Sequence, residues 1–357
     1  MTLSKQVIAH APGKLIIVGE YAVLEGEQSL VCAVNREALV QISPADGFSI
    51  SAPSLNLWNI PFHIMGKGSV LFPAEVEHPV QKRLNFFKTT FEYVYHYCRD
   101  CRFKSKYFHI NIDTDAFYEK AEGIKLGFGS SAALTVALIK AIFLWAGMGI
   151  ALPEEKTRVF RLALTAHRKA QNNIGSGIDI AASSFGGVLK YRVAINKHAE
   201  QEAPVALKIW PDLPQLIIFT GRSESTRRMV TGVHQLKKGN PQLYRQIIRE
   251  MGDISSDACD AYSEKNIKCF LPLIDRYHNL MLKLGDASGM PIISPVHQRL
   301  HELIKPLGGV YKPSGAGSGD IGVAFADAPG LLDNIRRTVE EAGYLCFFVR
   351  PSDTILK

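Results

Sequence analysis

Residues that announce their chemistry unaided are scarce in this sequence. Six cysteines occur in 357 residues. Cys32, Cys98, Cys101, Cys259, Cys269 and Cys346 are too dispersed to form the disulfide framework of a small secreted domain. Cys98-x-x-Cys101 has the spacing of half a zinc site, but no second CxxC supplies the other half. Two thiols near a helix end in a reducing compartment are the simpler reading. No run of Lys and Arg exceeds two residues, which argues against a nucleic-acid-binding surface. The opening residues lack a basic stretch followed by an apolar core, so a cytoplasmic protein without a signal peptide is expected. Ala132 to Leu152 is apolar apart from Lys140. A lysine at mid-membrane would cost about 2.5–3.5 kcal/mol, and Gly147, Gly149 and Pro153 shorten the run, so it reads as a buried helix.

What is present fits an ordinary globular chain: 46% apolar and 21% charged residues, with 41 basic against 34 acidic. The excess of +7 suits an anionic ligand. The length calls for two joined domains. Strand-like segments (Lys14 to Val18, "SLVCAVNREALVQIS", "YFHINIDTDA", "VLKYRVAI", "PQLIIFTG", "YLCFFVR") alternate with helical ones (Val80 to Tyr97, the helix after Gly129, Pro153 to about Asn172, much of Ser225 to Gly285, Leu331 to Ala342). Residues 49–79 carry Pro and Gly without a period and read as irregular or edge structure. This interleaving predicts an α+β protein of two sheet-plus-helix halves, dividing at 185–205.

Three glycine-rich segments concentrate the chemistry. In "KLGFGSSAAL", Gly127 and Gly129 let the backbone take positive φ and approach a ligand closely. Ser130 and Ser131 can cap the next helix, whose first N–H groups lack partners and attract anions. It is not a Walker A loop, because no Lys precedes the hydroxyl residue. "KPSGAGSGD" (Lys312 to Asp320) is a second glycine-serine turn. In "NIGSGIDIAAS" (Asn173 to Ser183), Asp179 sits between isoleucines and needs a cation if buried. Lys14, equally stranded in "PGKLII", is the candidate.

The order "PGKLIIVGEYAVLEG … KLGFGSSAA … GSGIDIAA … KPSGAGSGD" resembles the GHMP superfamily of small-molecule kinases, from Pro12 to Asp320. Within it, "AHRKAQNNIGSGIDIAASSFGGVLKYR", "FTGRSESTRRMV" and "MPIISP … KPSGAGSGDIGVAF" look like phosphomevalonate kinases. Mevalonate kinases usually carry a magnesium-holding Glu on the helix before the SGxD motif. Here that neighbourhood reads "AHRKAQ", with His167, Arg168 and Lys169. The resemblance implies an N-terminal α/β domain related to a ribosomal-protein fold (1–190) and a C-terminal ferredoxin-like domain (191–357). It also implies ATP and Mg2+, and transfer of phosphate to phosphomevalonate, a small anionic substrate, in isoprenoid biosynthesis.

Residue by residue, the resemblance makes Lys14 and Asp179 catalytic. Gly127, Gly129, Ser130, Ser131 and Ala132 become the cradle of the ATP phosphates, with Ser131 a magnesium ligand. Ser176, Arg222, Ser314, Gly315, Ala316 and Gly317 become substrate-binding. Arg222, Arg227, Arg228, Lys312 and His167 are candidate cations for a doubly charged acceptor. A mevalonate kinase, acting on a hydroxyl, is the nearest alternative. A non-catalytic nucleotide- or nucleic-acid-binding protein is a remote one. No nucleic-acid or membrane partner is expected.

Overall fold

The apolar stretch that opens the chain forms β1 (Val7–Val18), which pairs antiparallel with β2 (Ser29–Pro44). The link between them is a short 3-10 turn, Ala22–Glu25, closed by Gly26 in the left-handed region. The computed structural model describes residues 6–98, 107–119, 123–171, 175–194, 202–222, 224 and 226–352. Cys101, Asn172 to Ile174, Ile195, Ser223 and Ser225 from the quoted segments lie outside them.

Residues 49–79, expected to be irregular or edge structure, contain four short strands, of which β4 is a sheet edge: β3 (Ser49–Ala52), β4 (Leu57–Pro61), β5 (His63–Ile64) and β6 (Val70–Leu71). Helices α1 (His78–Arg83) and α2 (Asn85–Cys98) follow, then β7 (Phe108–Asp113). After the glycine loop come α3 (Ser130–Trp145), α4 (Pro153–Ala170), α5 (Ile178–Phe185), β8 (Val188–Tyr191) and β9 (Val205–Leu207). One sheet takes the order β4-β3-β7-β2-β8-β9, with β1 also on β2. β9 therefore joins this sheet from beyond residue 190. Pro351 bridges Val34, so the far end of the described chain returns to it too.

The remaining elements are β10 (Gln215–Phe219), α6 (Thr226–Gly239), α7 (Pro241–Ser263), α8 (Ile267–Ser288), α9 (Pro295–Ile304), β11 (Val310–Ser314), β12 (Ile321–Phe325), α10 (Pro329–Glu341) and β13 (Cys346–Val349). The long helical stretch, expected to be broken once or twice, is three helices. Asn240 and Asn266 break it, their side chains accepting from the N–H groups of Leu243 and Cys269 at 3.1 and 3.2 Å. The second sheet runs β11-β12-β10-β13, all antiparallel. Strand, helices, two strands, helix, strand in that order is the ferredoxin-like arrangement.

Helix α3 is buried on nearly every side, which explains why its apolar residues show no face. Its lysine, Lys140, is buried with it and donates to the His10 carbonyl at 3.2 Å. Burial pushes its ammonium pKa down to about 8. Among the described residues no helix is long and apolar enough to cross a membrane. Cys98 is buried against Met148, and no group of three or more metal-binding side chains occurs among the described residues.

A histidine pair with zinc-like spacing, His297-x-x-x-His301, is used for packing. His297 Nδ1 meets the Tyr311 hydroxyl at 2.7 Å and His301 Nε2 pairs with Asp275 at 2.9 Å. His278 on α8 stacks on His301 at 4.0 Å, and neither of its ring nitrogens has a partner. Burial holds His278 down at about 3, helped by His301, His297 and Lys312 and opposed by Asp275. Burial likewise holds His297 at about 4. Between these values and the usual ~6.5, the unfolded chain binds protons that the folded chain refuses. Their contribution to stability is therefore present above pH ~6.5 and is lost progressively as pH falls through that window towards 4 and 3. Thermal melts should show Tm dropping from pH 6.5 towards 4, and His278→Leu should make that slope shallower. An unchanged slope would show that His278 is not a source of the acid sensitivity.

Candidate active site

The glycine loop is tied to β1 by its backbone: the Lys14 N–H donates to the Phe128 carbonyl at 2.9 Å. Gly129 then turns with φ 76 and serves as N-cap of α3, with no side-chain capping bond. This differs from the expected serine cap, because Ser130 and Ser131 already lie inside the first turn. Their N–H groups find no acceptor among the described residues. Gly129 is also where a side chain would be strained and tightly placed. A Cβ there would stand 3.2 Å from Lys14 Cγ and 3.6 Å from Asp179 Oδ2, so the loop passes between the two side chains.

Lys14 is 6% exposed, and its ammonium lies 3.4 Å from the Gly127 carbonyl. Asp179, half-buried, occupies the first turn of α5, which Gly177 opens with φ 82. The two face one cavity of about 150 Å³, whose wall also includes His167, Arg168, Ser176 and Gly315. No direct Lys14–Asp179 ion pair within 4.0 Å occurs among the described residues. The second sheet contributes Gly315 and Ala316, and α6 contributes Thr226 and Val230. The cavity is therefore closed by both halves of the molecule.

Ser131 Oγ stands 3.2 Å from His167 Nε2. Burial lowers the His167 pKa more than nearby Asp179 raises it, so the ring is neutral at pH 7 and is not the cation expected from sequence. Arg168 supplies that charge instead, lining the cavity and reaching the Ser176 carbonyl at 3.4 Å. Tyr191 holds the same carbonyl at 2.8 Å, and Ser176 Oγ accepts from the Ile178 N–H. The Ser176 turn is thus fixed from both sides.

Several predicted residues stand elsewhere. Arg222 is exposed and lines a separate hollow with Ser294 and Ser318. Arg227 and Arg228 border a further one beside Met290. Lys312 is wholly buried and paired with Glu20 at 2.5 Å, so it offers no charge to a ligand. The Ser314 hydroxyl is used within the protein, accepting from Ile16 N–H at 3.0 Å and donating to Ile16 O at 2.9 Å. Gly317 is buried and packs against the Ile292 backbone, where a Cβ would lie 2.3 Å from Ile292 O. The sequence reading missed Glu20 and Tyr21, which line the cavity. Glu20 follows Gly19 in an apolar segment, and a buried acid there was the available signal.

Two joined sheets with this site between them form the two-domain GHMP kinase fold, which the solved structures that superpose on the chain share. Residues 85–187 match the family described as GHMP kinases N terminal domain. The chain is 27% identical to the phosphomevalonate kinase of Streptomyces sp. (strain CL190), covering 98% of each. It is 24% identical to the mevalonate kinase of Mus musculus, covering 97% of this chain and 93% of the relative. The crystal structure of Streptococcus pneumoniae phosphomevalonate kinase in complex with phosphomevalonate and AMPPNP superposes with a TM-score of 0.80 at 17% identity, covering 97% and 100%.

Ser314→Ala should behave as a packing mutation. It strands two buried backbone groups of Ile16, a loss of about 1–3 kcal/mol, and should lower Tm with KM little changed. A large rise in KM at parental Tm would return Ser314 to the binding surface.

Proposed function

We propose that the protein is an ATP-dependent small-molecule kinase of the mevalonate pathway that converts phosphomevalonate to diphosphomevalonate. The observation that carries this is the convergence of Lys14, Asp179 and Arg168 on one cavity, with Gly129 at the start of α3 close to the Lys14 and Asp179 side chains. The unpaired N–H groups of Ser130 and Ser131 suit the ATP phosphates, with Gly127, Gly129 and Ala132 allowing close approach. Resemblance to the Streptomyces enzyme over the whole chain supports the same reading.

In this reading the terminal oxygen–phosphorus bond of ATP breaks, ADP leaves, and an oxygen of the acceptor's phosphate takes the phosphoryl group. Such transfers ask the protein for positioning and positive charge. Lys14 would sit beside the transferring group and stabilise the charge that develops. Arg168 would hold the acceptor's phosphate, and Ser176, Gly315 and Ala316 would shape its seat. Asp179 would orient Lys14. A phosphomonoester is largely dianionic at neutral pH, its second pKa being about 6, so no base is required. Ser131 would hold Mg2+ through its Oγ, a hydroxyl oxygen that keeps a lone pair for a cation whichever partner donates in its contact with His167. Mg2+ is commonly bound through one or two protein oxygens plus phosphates and water, and when bound it neutralises phosphate charge. A mevalonate kinase remains the second reading, on the likeness to the mouse enzyme.

A coupled ADP-release assay should give turnover with phosphomevalonate in preference to mevalonate, homoserine and galactose. Turnover of mevalonate without phosphomevalonate would establish the second reading instead. Lys14→Met should be the more damaging substitution, and Asp179→Asn should keep measurable turnover. Loss of a needed base would instead cost roughly 10²–10⁴ in kcat. If both variants are equally dead from pH 6 to 9, transfer without a base is wrong.

A further inference from the structure

The ion pair between Glu20 and Lys312 is the one salt bridge buried at both ends among the described residues, with side chains 2% and 0% exposed. It joins the end of β1 to β11, across the two sheets. Lys312 Nζ also donates to the Pro313 carbonyl at 2.6 Å, and the Gly315 N–H donates to the same carboxylate oxygen, Glu20 Oε1, at 3.3 Å. The next residue, Tyr21, donates its hydroxyl to the Ala316 carbonyl at 2.5 Å. Tyr277 fixes Glu20 in turn by donating to its backbone carbonyl at 2.7 Å. Residues 20 and 21 therefore grip the two residues through which the second sheet reaches the cavity.

Stability alone explains this arrangement badly. Desolvating two charges cancels much of their attraction, and a well-packed apolar pair is often as stable or more so. Here the carboxylate is also half-used: Glu20 Oε2 is buried without a partner among the described residues. The pair does explain geometry. Gly315 runs at φ 106, and a Cβ there would sit 3.9 Å from Lys14 Nζ. Holding Gly315 thus sets the gap opposite the lysine.

We infer that Glu20 is a positioning residue for the transfer proposed above, fixing the Gly315–Ala316 backbone opposite Lys14 through Lys312 and the Gly315 N–H. The inference rests on the kinase reading for its catalytic consequence, while the clamp itself can be measured without substrate. The informative variant is Glu20→Met/Lys312→Met, which removes both charges and so avoids a stranded ion. It should fold with a Tm near the parent's, yet amide hydrogen exchange at Gly315 and Ala316 should quicken. Its kcat should fall roughly 10–100-fold, the scale of a displacement near 1 Å, with KM for ATP little changed. Glu20→Gln/Lys312→Met keeps an acceptor for the Gly315 N–H and should recover part of both losses. Parental exchange and parental kcat in the double-methionine variant would reduce the pair to filler and overturn the inference. Should that variant fail to fold, Glu20→Gln alone is measured for exchange and kcat: losses in both support the clamp, and parental values in both overturn it. A parent protein inactive on phosphomevalonate and mevalonate would remove the kinase reading, and exchange at Gly315 would still decide whether the clamp exists.

Discussion

The site depends on one backbone hydrogen bond, from the Lys14 N–H to the Phe128 carbonyl. It pins the glycine loop to β1 next to the lysine that the loop must pass. From it follow the left-handed turn at Gly129, which favours glycine, the start of α3, and the tight passage between Lys14 and Asp179. The greasy body of α3 then has a plain purpose. Packed on all sides, it keeps a polar first turn from moving.

The second constraint is electrostatic. The cavity gathers Lys14 and Arg168 with a single half-buried carboxylate, Asp179, and a neutral imidazole. That balance favours anions, and the neutral His167 sets no competing positive charge beside Ser131. Glu20 adds a negative charge to the wall, but Lys312 matches it within the protein. Positive charge is thus left over at the Lys14 side, where a phosphate acceptor would need it.

Much of this was legible in the sequence for physical reasons. Glycines at 127, 129, 177 and 315 all take positive φ, and a lysine and an aspartate stranded among isoleucines signal a buried polar centre. Strand and helix order gave two sheet-plus-helix halves, and the ferredoxin-like form of the second came from the family resemblance of the glycine-rich motifs. Other features were hidden because distant partners decide them. Lys312 looked like a free cation until Glu20, 292 positions away, took it. Ser314 looked like a ligand until Ile16 used its hydroxyl in both directions. His167 lost its charge to burial, and Arg222 turned out to face another hollow. Sequence spacing shows which residues can do chemistry; burial and pairing decide which of them remain available.

The central claim is that Lys14 and the two glycine-rich loops join the terminal phosphoryl group of ATP to a phosphate already on the acceptor. Phosphorus NMR of the product formed from ATP and phosphomevalonate tests this most directly. The account predicts that the acceptor's single monoester resonance is replaced by the coupled pair of a diphosphate. An untouched monoester signal, with a new monoester appearing only when mevalonate is supplied, would contradict it.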